Sequence, residues 1–283
     1  MLSLERFDAM GTWVEVRAEA RDDHEATRCL VADVESRCTR FDPASELSRL
    51  NAAPPGPVHV SPYLAAVLGV AQQLRLRTRG LVDAGIGGRV IEWGYDRTFS
   101  EVVGAVPVPD QIDAAPRWTI DGRTVTRSEG VRLDLGGVAK GWTADRAVEA
   151  GYARVVSAGG DVRSADPATV VEVVDPWGGS AAHLALGVGG LATSSIGRRR
   201  WSTDRGGAHH IIDPRTGDPA VTPVVSATVV AGTAAEAEAA AKAVLILGTQ
   251  GLVWAADQSW VRAAVAVWHD GNVYATPGVE IAA

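Results

Sequence analysis

The sequence is short of cysteine, with two in 283 residues. Cys29 and Cys38 lie on a stretch that reads as one amphipathic helix, too far apart along a straight axis to bridge, so reduced thiols in a cytoplasm are expected. Long apolar runs are missing too. No stretch reaches the roughly 18 consecutive uncharged apolar residues that a membrane-spanning helix needs. The opening MLSLERFDAM has no basic segment leading into an apolar one. The expectation is a chain with no membrane span and no export signal. Positive charge is scarce: a net charge of −7 and a pI near 5.4 argue against a broad nucleic-acid surface, which needs clustered cations to displace counterions. The one basic cluster, Arg198-Arg199-Arg200 after a Thr-Ser-Ser turn, reads more readily as a solvated loop than as a phosphate clamp. With no internal repeat, low-complexity linker or break in composition, residues 1–283 are expected to form a single domain.

What is present is an ordinary globular balance, 46% apolar and 22% charged, with enough chain for a large core. Thr12 to Ala18 alternates Val14, Val16 and Ala18 against Trp13, Glu15 and Arg17, the pattern of a half-buried strand. Asp22 to Cys38 carries Leu30, Val31 and Val34 at helical spacing, and Ser61-Pro62 opens a second helix that Gly80 can stop. Trp118 to Val125 and Val131 to Leu135 predict strands around a turn at Asp121-Gly122. A helix follows over 140–150. Strands are expected at 154–157, 170–174, 183–188, 226–231, 263–268 and 273–276, with an alanine-rich helix over 234–247 and a loop over 104–116. Helices and strands alternate irregularly, which predicts an α+β fold with mixed, largely antiparallel sheets.

Two segments carry chemistry in their own right. Asp134-Leu-Gly-Gly-Val-Ala-Lys140-Gly reads as a strand ending in two glycines and then a helix with a lysine near its start, a plausible anion cradle or simply a tight turn. His209-His210-Ile-Ile-Asp213-Pro-Arg215-Thr-Gly217 places two imidazoles before an Asp-Pro turn. Neighbouring histidines on a strand face opposite ways, so a metal site from the pair alone is not expected. One reads as solvent-facing, and the Asp-Pro-Arg-Thr-Gly segment as a turn held by its own side chains.

These segments occur in order with others: Ala9-Met10-Gly11-Thr12, Ser45 to Asn51, Trp93-Gly94-Tyr95, Ala158-Gly-Gly-Asp161 and Ala192-Thr-Ser194. Together they resemble the FAD:protein FMN transferase family, also called the thiamine-biosynthesis lipoprotein family, over nearly the whole chain. The resemblance implies an FAD cleft between two intimately packed halves. It implies magnesium-assisted cleavage of the FAD diphosphate, with FMN passed to a Ser or Thr hydroxyl of a client protein and AMP released. The client would be cytoplasmic. FAD hydrolysis to FMN and AMP is the alternative enzyme reading, and a non-catalytic FAD-binding protein the alternative outside enzymes. By motif position, Met10, Phe41, Trp93, Gly94, Tyr95, Asp134, Lys140 and Ile211 would contact FAD, His210 would serve proton transfer or phosphate contact, and the Gly137 carbonyl would ligate the metal.

One departure lies in the alanine-rich helix. Where the family carries an Asp and, four residues on, a Thr, often with a second Asp between, this chain has Glu238, Lys242 and Ala241. Glu238 could still ligate magnesium through its longer arm. Lys242 could pair with Glu238 on a solvated face, could replace the metal against the diphosphate, or the metal could bind elsewhere.

Overall fold

The computed structural model describes residues 2–102, 105–106 and 117–279. The chain divides into two compact units, one made of residues 1–33, 138–195 and 221–283, the other of 34–137 and 196–220. It opens with strands β1 (Ser3–Ala9) and β2 (Thr12–Ala18) and helix α1 (Arg21–Cys38), within which the division falls. The second unit continues with α2 (Glu46–Ala52), β3 (Gly56–His59), α3 (Pro62–Arg77), α4 (Gly87–Glu92), β4 (Ala105–Val106), β5 (Trp118–Asp121) and β6 (Thr124–Arg127). The first unit resumes with α5 (Ala139–Glu149), β7 (Val155–Ala158), β8 (Asp161–Ser164), β9 (Val170–Val174), β10 (Ser180–Ala185) and β11 (Gly189–Ser195). After β12 (Arg200–Thr203) and β13 (Gly206–His209) of the second unit, the first closes with β14 (Val224–Ala231), α6 (Ala234–Leu247), α7 (Gly251–Ala256), β15 (Val261–Trp268) and β16 (Val273–Ala275). The fold class is α+β, and among the described residues the named strands pair antiparallel except β12 with β4.

The first unit is built on an eight-stranded sheet in the order β1-β2-β7-β8-β11-β14-β15-β16. β14, VVSATVVA, is buried at every position, as a strand covered on both faces must be. β2 buries Val14, Val16 and Ala18, the alternation its sequence predicts. The β1–β2 hairpin turns through Met10 and Gly11, both at positive φ (54° and 67°), the geometry that matches strand twist in a two-residue turn. Helix α6 packs on β11 and β14. Its start is held by a capping box between Thr233 and Glu236, and Asp145 of α5 accepts from the Ala234 and Ala235 amides at 2.8 and 3.0 Å. Gly141 lets α5 come this close: a Cβ there would lie 2.7 Å from the Ala235 nitrogen. By length and composition 234–256 is apolar enough to cross a membrane, yet most of α6 is buried within this unit and carries Glu236, Glu238 and Lys242.

In the second unit, Ser61 caps α3 by accepting from the Leu64 amide at 3.2 Å, and Trp118, fully buried, donates its indole N–H to Asp83 at 2.7 Å. The hairpin at Asp121-Gly122 exists, but its second arm is β6, and the third strand beside it is β3. Val131 to Leu135 is no strand partner in it. The Asn51 side chain occupies the backbone there instead, donating to the Leu133 carbonyl at 2.8 Å and accepting from the Leu133 amide at 2.7 Å. Two other expectations shift. The strand expected over 183–188 is β10, which ends before the positive-φ turn at Gly187, and Thr193 to Ser195 ends β11 and is not a turn. Of the expected loop, 105–106 form β4, while 104 and 107–116 lie outside the described residues.

Candidate functional site

The second unit gathers aromatic rings around one guanidinium. Phe41 follows α1 and is 41% exposed; its ring centroid lies 5.7 Å from that of buried Tyr95, which in turn lies 5.7 Å from Trp201. Arg40 lies over both Phe41 and Tyr95, at 4.2 and 4.8 Å from the ring centroids, and its Nε donates to Asp134 at 2.7 Å. Its side chain is 6% exposed, and Nη2 is buried with no hydrogen-bond partner among the described residues. A planar cation over two rings, with one donor unspent and an exposed phenyl ring beside it, suits a planar ligand that carries acceptors. Arg40 escapes sequence reasoning because nothing in its spacing sets it apart from Arg37 or Arg49.

Trp93 and Ile211, both expected to meet a ligand, are buried: the Trp93 indole donates to the Gly217 carbonyl at 3.0 Å, and Trp201 donates to the Trp93 carbonyl at 2.6 Å. Gly94 sits at φ 99° between Trp93 and Tyr95, a conformation that favours glycine. His209, not His210, is the buried imidazole. Its Nε2 lies 3.1 Å from the Ala220 carbonyl and its Nδ1 accepts from the Ile211 amide at 3.3 Å, which fixes a neutral ring protonated on Nε2. Burial pushes its pKa down. His210 is half-buried. Asp213 accepts from the Arg215 amide and guanidinium, so this segment is the self-held turn its sequence predicts.

The first unit holds Met10, Lys140 and Glu238 of the expected residues. Lys140, one residue into α5, donates to Asp161 of β8 and, at 3.0 Å, to Glu238 Oε1 of α6. Lys242 donates to the same Glu238 oxygen at 2.8 Å. Glu238 is 4% exposed, so the pair with Lys242 forms as helical spacing predicts, but in the interior and not on a solvated face. Burial alone would lower the Lys140 pKa, and the carboxylates of Asp161 and Glu238 more than reverse it. Burial would raise Glu238, but the ammonium groups of Lys140 and Lys242 hold it below the usual carboxylate range; burial and Glu238 push Asp161 up. Asp161 was legible as part of a motif, Ala158 to Asp161, but not as a partner of Lys140.

Glu238 Oε2 is buried and takes no hydrogen bond among the described residues, which by itself would suit a cation. The two ammonium groups decide otherwise. A dication at that oxygen would stand on a carboxylate whose other oxygen already carries two ammonium groups, at 2.8 and 3.0 Å, and both would oppose it. Ala241, fully buried, supplies only a methyl group, and no cluster of three or more His, Cys, Asp or Glu able to hold a metal occurs among the described residues. These residues do not fit a divalent cation at Glu238. The Gly137 carbonyl belongs to the other unit's sequence.

Comparison with known proteins gives a consistent result. The model of the ApbE family matches residues 10–265. The FAD:protein FMN transferase of Rhodobacter capsulatus is 34% identical over 300 residues, which cover 96% of this chain and 57% of that protein. The FAD:protein FMN transferase of Haemophilus influenzae is 26% identical over 82% of this chain and 75% of its own length. The chain thus spans little more than half of the first relative and three quarters of the second. Among solved structures, the ApbE protein of Thermotoga maritima superposes with a TM-score of 0.84 at 23% identity, covering 98% of this chain and 97% of that one. The flavin transferase ApbE of Vibrio cholerae gives 0.79 at 22%, with 98% and 97% covered.

Proposed function

The chain belongs to the ApbE family, and from that premise we propose that it is a flavin transferase that moves FMN from FAD to a Ser or Thr hydroxyl of a client protein. The observation that carries the reading is the Arg40, Phe41 and Tyr95 assembly, a ring-faced surface with a buried donor to spare. In this reading Phe41 offers its exposed face to the isoalloxazine, and Arg40 holds the Phe41 and Tyr95 rings from beneath. The acceptor hydroxyl oxygen bonds to the FMN-side phosphorus while the bond from that phosphorus to the oxygen shared with AMP breaks. AMP leaves with the electron pair, and the hydroxyl proton passes to a base, for which we propose His210.

Incubation with FAD and a Ser- or Thr-bearing acceptor peptide tests this. The expected result is AMP and FMN-modified peptide in equal amounts. AMP with unmodified peptide would point to hydrolysis of FAD. Bound but intact FAD would leave a flavin-binding relative, a reading favoured by the two lysines on Glu238.

A further inference from the structure

Glu238 is the buried carboxylate that two ammonium groups share on one oxygen, Lys242 at 2.8 Å and Lys140 at 3.0 Å. Resting on the function proposed above, we propose that Lys242 is an intrachain replacement for a divalent cation, so that this chain binds and processes its dinucleotide without magnesium. Lys242 stands one helical turn from Glu238 on α6, so the cation's presence at the carboxylate is set by the fold and not by ion concentration. Lys140 is spent on Asp161 as well as Glu238, and together the two ammonium groups offset the two carboxylates. A dication would disturb that balance. An ammonium differs from magnesium in kind: it supplies one fixed charge and N–H donors, but no vacant coordination position that could bridge two phosphate oxygens. The buried methyl of Ala241 agrees, since it offers no ligand atom one turn from Glu238, and the Asp161 carboxylate is taken by Lys140.

Manganese, whose free form is read by electron paramagnetic resonance, is the direct probe. The protein, with and without FAD, is titrated with manganese, and FAD affinity is measured by flavin fluorescence in EDTA and in millimolar magnesium. The expected result is no manganese uptake and an FAD affinity that changes by less than about twofold between the two conditions. The double substitution Ala241→Asp with Lys242→Thr is expected to bind manganese at least about tenfold more tightly than the unaltered chain. Uptake of manganese by the unaltered chain overturns the proposal, as does an FAD affinity that collapses in EDTA; both leave the flavin function standing. FAD binding under neither condition overturns the functional reading and this inference with it. The arms on the unaltered chain decide the matter even if the double variant does not fold.

Discussion

Arg40 divides one guanidinium among the Asp134 carboxylate, the rings of Phe41 and Tyr95, and a buried Nη2 with no hydrogen-bond partner among the described residues. Arg40→Lys keeps the charge for Asp134 but loses the flat face, so FAD affinity is expected to fall about tenfold with little change in stability. Unchanged affinity by fluorescence titration would remove Arg40 from the binding surface. Arg40→Met strips Asp134 of its partner and should cost about 2 kcal/mol in urea unfolding. His209 makes a pH prediction. Its folded pKa is lowered by burial, so below about 6.5 the unfolded chain binds the extra proton, and stability is full above that pH and falls as pH drops toward the folded value. Protonation would also remove the Nδ1 acceptor from the Ile211 amide. His209→Gln should flatten stability between pH 7 and pH 5, read by urea titration; a slope equal to that of the unaltered chain would contradict the assignment. Residues of this kind are only half legible in sequence: a histidine pair stands out, but which ring is buried depends on what β13 packs against.

At the scale of elements, the start of α6 depends on α5. Asp145 takes two amides that an α-helix leaves unpaired at its first turn, and burial raises its pKa to about 6. Asp145→Ala is expected to cost about 2 kcal/mol and Asp145→Asn, which retains one acceptor, about half as much. Gly141→Ala would press a Cβ into the backbone of Ala234 and Ala235 and force the helices apart, at about 2 to 3 kcal/mol. Thermal unfolding of the three variants checks the order, and a neutral Gly141→Ala would refute the close crossing. α6 was legible because its alanine-rich composition favours a helix whatever surrounds it. β11 was not. GGLATSS has few strand-forming side chains, and it is a strand because Gly190 lets α6 lie against it, where a Cβ would come 2.0 Å from the Thr233 carbonyl carbon. The error at Val131 to Leu135 has the same origin, since its alternation of apolar and charged residues was overridden by the distant Asn51 side chain.

For the molecule as a whole, ordered motifs from Met10 to Gly217 made family and fold class legible together, because their order survives when neighbouring residues change. Two packed halves were implied by the resemblance, but where the chain divides was not legible. Both draw on the same composition, and no linker marks residues 33, 137, 195 or 220, so the division exists only in which strands pair. The position of β14 in its sheet, between β11 and β15, has a consequence for synthesis. A ribosome delivers β1, β2, β7, β8 and β11 first, and the edge of β11 then waits unpaired until Val224 to Ala231 and the helix behind it emerge. The first unit therefore cannot close while it is being made. Nascent chains arrested before β14 should be cut readily by protease, and resistance should arrive in one step once β14 and α6 have emerged.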